Sequence, residues 1–191
     1  MLFILESKGR VVFVRILLYL VSIVTANVVT AAFAPLVMGI FIVPMGTFLI
    51  GATFIFRDLV QNKYGRKKTY MFIGFALLLS AVVSSILGDT LIIVLASAVT
   101  FAIAETTDTE IYSRLKLPMS LRVLYSGIVG GILDSAIFVV LGLSPLGANF
   151  LPWEAVPAAI LGQVLVKTII QGIAALIIHQ TNNMSKNTVA H

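Results

Sequence analysis

Cysteine is absent from the chain, which excludes disulfide bonds and thiolate metal sites. Histidine occurs only as His179 and His191, too few and too peripheral for a histidine-rich metal centre. No H-E-x-x-H or G-x-S-x-G run occurs either. Charge is scarce as well: Asp, Glu, Lys and Arg make up 11% of the chain against 59% hydrophobic residues, far from the balance of a soluble domain. These shortages argue against an enzyme, a resident cofactor or metal, and a nucleic-acid partner. The net charge of +5 is read instead as topology and contact with anionic lipid at the inner face of a membrane.

What the chain has in abundance is apolar sequence. Six stretches approach the roughly 20 residues that cross about 30 Å of hydrocarbon as helix, near residues 11–32, 36–56, 69–88, 90–113, 121–143 and 155–178. The runs are too long and continuous for barrel strands, which alternate with period 2, and helices satisfy their own backbone groups, as hydrocarbon demands. The fold expected is an all-α integral membrane protein, one domain over residues 1–191 with six transmembrane helices. Pro35, Pro118 and Pro152 fall in connections and Pro157 in the first turn of the sixth span, where proline is tolerated. Pro44 is expected inside the second span, beside Gly46, bending it. Ala32-Phe33-Ala34 has the small-x-small form of a leader cleavage site, but Ser22, Thr25, Asn27 and Thr30 are foreign to a signal core, so the first span is expected to be retained.

The cations set the orientation. Lys8, Arg10 and Arg15 precede the first span, Arg57, Lys63, Arg66, Lys67 and Lys68 lie between the second and third, Arg114, Lys116 and Arg122 lie between the fourth and fifth, and Lys186 is in the tail. The other three connections have no Lys or Arg. Cationic loops stay on the cytoplasmic side, so both termini are expected inside a multi-pass protein of the cell membrane. Arg57 and Asp58 are expected at the inner interface, capping a helix end. That leaves Lys167 as the cation within a span, where charge is costly and usually functional.

Other polar residues gather near it. At about 1.5 Å of rise per residue, Asp134 lies roughly 18 Å from Arg122, near the midplane. Lys167 and Asn27 reach similar depth, with Glu105 and Asp108 nearer the cytoplasm by the same count. Gln163, Lys167 and Gln171 recur at i, i+4, i+8 and make one polar stripe. Glu105 and Asp108 share a face, and Gly127, Gly130 and Gly131 share one with Asp134, letting a neighbouring helix approach. Asp134 and Lys167 can neutralise one another, and Glu110 with Arg114 is an ordinary i, i+4 surface pair. Glu105, Asp108 and Asp134 still outnumber the one interior lysine, which points to a protonated acid, another cation or a ligand. Asp108 and Asp134 are about 10 Å apart in depth, too far for an aspartyl protease dyad.

Several segments now resemble one family. The run Thr47-Phe48-Leu49 through Phe56-Arg57-Asp58-Leu59-Val60, followed by Tyr64-Gly65-Arg66, resembles the TDL…YG motif of the vitamin-uptake-like (VUT) proteins, the queuosine-precursor transporters. Glu105 through Asp108 and Tyr112 to Leu115 is similar to their Q-x-x-D-x-x-x-F-x-x-L segment, and Gly130 through Asp134 to Phe138 to their S/G-x-x-x-D-S/T-x-x-F segment. Lys167 resembles a lysine of the family's last helix and Asn27 an asparagine of its first. Arg57 stands where the family usually has Thr, and Glu105 where Gln is usual.

The resemblance implies six helices arranged like the substrate-binding subunits of energy-coupling-factor transporters. It also implies import of 7-cyano-7-deazaguanine, 7-aminomethyl-7-deazaguanine or queuine. The substrate-binding set expected is Asn27, Glu105, Asp108, Asp134, Gln163, Lys167 and Gln171, with Phe101, Tyr112, Tyr125 and Phe138 as candidate walls for a flat ring. A homo-oligomer is compatible with such a chain. The alternatives are a binding subunit that needs an energising partner and a proton-linked exporter of small cations. The first helix has no Ala-x-x-x-Ala docking face, and the pair at Ala155/Ala159 belongs to the last helix, which favours a solitary carrier.

Overall fold

The computed structural model describes residues 14, 16–26, 28, 29, 32, 33, 35–88 and 91–189, the side chains of 91, 94 and 182–189 excepted. Asn27, Lys8, Arg10, Arg15 and the side chain of Lys186 lie outside the described residues. Among the described residues the regular structure is helical apart from one short hairpin. Helix α1 is described over Ile16–Ala26, and α2 follows at Thr47–Tyr64, α3 at Arg66–Ile86, α4 at Leu91–Arg114, α5 at Met119–Phe138 and α6 at Val156–Val189. A single wide turn, Val139–Leu143, prolongs α5 so that Met119–Leu143 is one continuous apolar rod.

Among the described residues three helices are long and apolar enough to cross a membrane: Arg66–Ile86, Met119–Leu143 and Val156–Thr181. Their outer faces are built for lipid. Leu78, Ile86 and Leu176 leave 65%, 78% and 64% of their surface uncovered. Such broad apolar exposure is untenable in water and ordinary in a bilayer. Inward faces carry small and polar groups, so van der Waals fit and hydrogen bonds hold the helices together rather than apolar burial. By contact, α6, α5, α4 and α3 follow one another round the bundle, and α2 closes the ring between α3 and α6.

The second expected span needs correction. Residues 36–46 are not helical: Leu36–Met38 (β1) pairs antiparallel with Phe41–Val43 (β2), Leu36 opposite Val43. The physical cause is visible in the residues. Gly39, at φ +61°, occupies the left-handed position that a two-residue hairpin turn requires, and Pro44 denies the following backbone a donor. Apolar runs of this length do not distinguish strand from helix by composition. Irregular backbone is tolerated at membrane depth only where protein covers it or it lines a cavity. The hairpin meets both conditions. β2 packs on α6, where a Cβ at Gly162 would stand 3.0 Å from Phe41 and Val43.

Helix α2 therefore starts eleven residues later than the expected span and runs past it to Tyr64. Pro44 precedes the helix instead of bending it, and Arg57 and Asp58 move from a helix end to its interior. At the cation-rich end, Gly65 alone separates α2 from α3. There Glu110 of α4 accepts from Arg114 at 3.2 Å, as its spacing suggested, and also from Arg66 and Tyr70 of α3.

Because the chain has no cysteine, single introduced cysteines report topology without background. With both termini inside, Leu146→Cys, on an exposed apolar-end turn, should react with a membrane-impermeant maleimide on intact cells, and Lys67→Cys only after permeabilisation. The reverse pattern would refute the orientation read from the cations.

Candidate functional site

Two buried polar centres lie in successive layers of the bundle. The first surrounds Arg57. Its guanidinium pairs with Asp58 at 2.8 Å, with Glu105 at 3.5 Å and with Asp108, and its Nη1 donates to the Glu105 carbonyl at 3.0 Å and to Thr109 Oγ1 at 2.8 Å. One turn along, Gln61 Nε2 donates to Thr109 O and Ser113 Oγ at 3.2 and 2.9 Å. Arg57, Asp58 and Asp108 have no exposed side-chain surface. These contacts fasten α2 to α4 towards the cation-rich end. Helix α5 closes over them because Gly130 offers no Cβ, which would sit 3.0 Å from Asp108.

The second centre is formed by α5 and α6. Lys167 Nζ binds Asp134, donates to Ser135 Oγ at 2.9 Å and reaches Gln163 Oε1 at 3.3 Å. Because the ammonium can only donate, the amide oxygen of Gln163 must face it, which turns Nε2 away. Lys167 is 2% exposed and Asp134 15%. That difference matters, because the acid of this pair is open to a cavity while the acids around Arg57 are sealed.

The cavity has a volume of about 560 Å³. Asp134, Gln163 and Lys167 form its polar floor, and Phe101 and Phe138 contribute aromatic wall. The hairpin residue Ile42 and the loop residues Phe33 and Phe150 reach it from the end of the bundle that has no Lys or Arg. Volumes of roughly 300–1,000 Å³ with a few convergent polar groups are usual for small-molecule sites.

The residues singled out from the sequence thus separate into groups. Asp134, Gln163 and Lys167 come together at the cavity. Glu105 and Asp108 face Arg57 instead, so among the described residues the interior ion pairs involve two cations rather than one, and four carboxylates with Asp58 counted. Gln171 is buried, donates to the Gly51 carbonyl at 3.1 Å and ties α6 to α2. Asn27 lies outside the described residues. Of the ring walls, Phe101 and Phe138 line the cavity, whereas Tyr112 packs under Arg122 at 4.6 Å and Tyr125 is half exposed. Arg57 was misjudged as interfacial, since the hairpin that delays α2 was not recognised. Gly39 and Pro44 were the available signal. The cavity residues Ser97 and Thr100 were also missed, as isolated hydroxyls on an apolar helix carry no motif.

Residues 80–180 match the family described as "putative vitamin uptake transporter", a segment covering α4, α5, most of α6 and both members of the Lys167–Asp134 pair. No curated protein and no solved structure matches the chain.

Removing one member of a fully buried pair leaves an uncompensated charge, at a cost of about 3–5 kcal/mol. Arg57→Gln should therefore lower thermal stability in detergent much more than Asp134→Asn, whose site reaches the cavity. Adding Asp108→Asn should recover part of the loss. Equal melting temperatures for Arg57→Gln and the native chain would refute the pairing.

Proposed function

Since the chain belongs to the vitamin uptake transporter family, we propose that it imports queuosine precursors across the cell membrane: 7-cyano-7-deazaguanine, 7-aminomethyl-7-deazaguanine or queuine. The observation that carries this reading is the Lys167–Asp134 pair at the floor of the cavity, with the acid open to it. A deazaguanine presents adjacent N–H donors beside a carbonyl acceptor along one edge. A carboxylate accepts two such donors side by side, and charge-assisted bonds of this kind are about twice as strong as neutral ones. Asp134 supplies the acceptor, while Lys167 and the turned-away Nε2 of Gln163 supply donors for the carbonyl. Phe101 and Phe138 give the flat ring an apolar bed.

The two centres then have different roles. In the empty site Asp134 and Lys167 neutralise each other, and the substrate edge replaces that contact with bonds of its own. The Arg57 cluster closes the cation-rich side, so the cavity opens at the opposite end, which the cation pattern makes the outer one. Alternating access requires α2 to separate from α4 at Arg57 as the hairpin end closes. Glu105 and Asp108 act in this gate and not as direct ligands. A carrier of this kind needs no ATPase partner, which distinguishes it from a subunit of an energy-coupling-factor complex.

Purified protein in liposomes should take up labelled deazaguanine without any partner. Asp134→Asn and Lys167→Gln should each reduce that uptake by at least about 100-fold, the loss of roughly 3 kcal/mol expected when a buried charged partner is removed. Both variants should insert and elute as the native chain does. Normal transport by both would sink the assignment, and saturable binding without uptake would favour the partner-dependent subunit.

A further inference from the structure

Two residues that line the cavity each carry a buried polar atom with no hydrogen-bond partner among the described residues: Nε2 of Gln163 and Oγ1 of Thr100. Both residues are almost wholly buried, at 3% and 1% exposure. The Gln163 amide belongs to the floor already described. Thr100 does not. It sits on α4, and with Ser97 three residues earlier and Ser80 and Ser84 on α3 it makes a hydroxyl-bearing wall of the same cavity. Because α6, α5, α4 and α3 follow one another round the bundle, this wall lies across from Gln163 and Lys167 on α6.

An orphaned hydroxyl in an apolar interior is unfavourable for the fold, and a helical threonine can readily satisfy itself on the carbonyl one turn back. Thr106 does so on the same helix, donating to Ala102 O at 2.6 Å. Thr100 does not, which leaves both its donor and its acceptor without a partner among the described residues, on a residue that lines the cavity. The chemistry available on this wall is specific. Hydroxyls both give and accept, so they match ligand hydroxyls, which do the same. Among the described residues of α3 and α4 that line the cavity there is no carboxylate to favour an ammonium, and a nitrile accepts but never donates. A bare bicyclic base engaging the floor would also leave much of the 560 Å³ unfilled.

We infer that Ser84, Ser97 and Thr100 form a second subsite, which binds a vicinal diol carried on the substituent of the base. This rests on the import reading above and narrows it: of the three precursors, queuine, whose arm ends in a cyclopentene diol, is preferred. The aminomethyl compound shares queuine's amine but lacks the diol, so comparing the two isolates the hydroxyl contacts.

The test uses the full chain in liposomes with each of the three compounds as labelled substrate. Native protein should take up queuine at least about tenfold more efficiently than the aminomethyl compound. Thr100→Val, nearly the same shape, should erase that preference while changing uptake of the cyano and aminomethyl compounds by less than about twofold. Ser97→Ala should reduce the preference in the same direction. Thr100→Val should also melt no lower than the native chain, which a hydroxyl serving the fold would not allow. Uptake of all three without preference, or equal loss of all three in Thr100→Val, overturns the subsite and leaves the import reading standing. Uptake of none overturns both.

Discussion

A charge in a low-dielectric interior must be matched close at hand, and two such matches organise this bundle. Arg57 gathers carboxylates from α2 and α4, and Lys167 joins α6 to α5 through Asp134 and Ser135. Hydrocarbon offers the helices no apolar incentive to associate, because lipid tails are as apolar as leucine. Contacts that lipid cannot replace therefore bear more of the burden of holding α2, α4, α5 and α6 in place. The glycines at 127 and 130 serve the same end, since a Cβ at either would strike the Gln171 amide or Asp108.

The two centres are chemically similar and differ in access. Around Arg57 every acid is enclosed, and none of them lines the cavity. At Lys167 the acid stays partly open, one amide nitrogen is unbound, and a large cavity lies above. A sealed network is suited to holding helices together, and one whose acid reaches a cavity to exchanging partners. The first lies towards the cation-rich end, and the second borders a cavity that residues of the opposite end also line. In the import reading, that asymmetry corresponds to one of the two states of a carrier.

Much of the architecture could be read beforehand, for physical reasons that differ by element. Helices α3 and α5 follow from unbroken apolar length. The pairing of Asp134 with Lys167 followed from equal depth and the cost of leaving either alone. Glu110 with Arg114 followed from helical spacing. The hairpin at 36–43 was missed because β-branched and aliphatic residues fit a buried strand and a membrane helix equally well. Every error about α2, including the placement of Arg57 at an interface, descends from that one ambiguity. Glu105 and Asp108 are interior acids by their place in the sequence, and the cation that meets them, Arg57, is the one expected at the interface.

By itself the amino-acid order determined that this is a polytopic membrane chain, which connections hold its cations, and that acids and amines are retained at a depth where they are costly. Those properties depend on composition and on distance along a helix. Which acid meets which cation depends on how helices far apart in the chain rotate and abut, and so does the cavity with its orphaned Thr100. Only packing in three dimensions decides such contacts, because a side chain's partners across a bundle leave no trace in its neighbours along the chain.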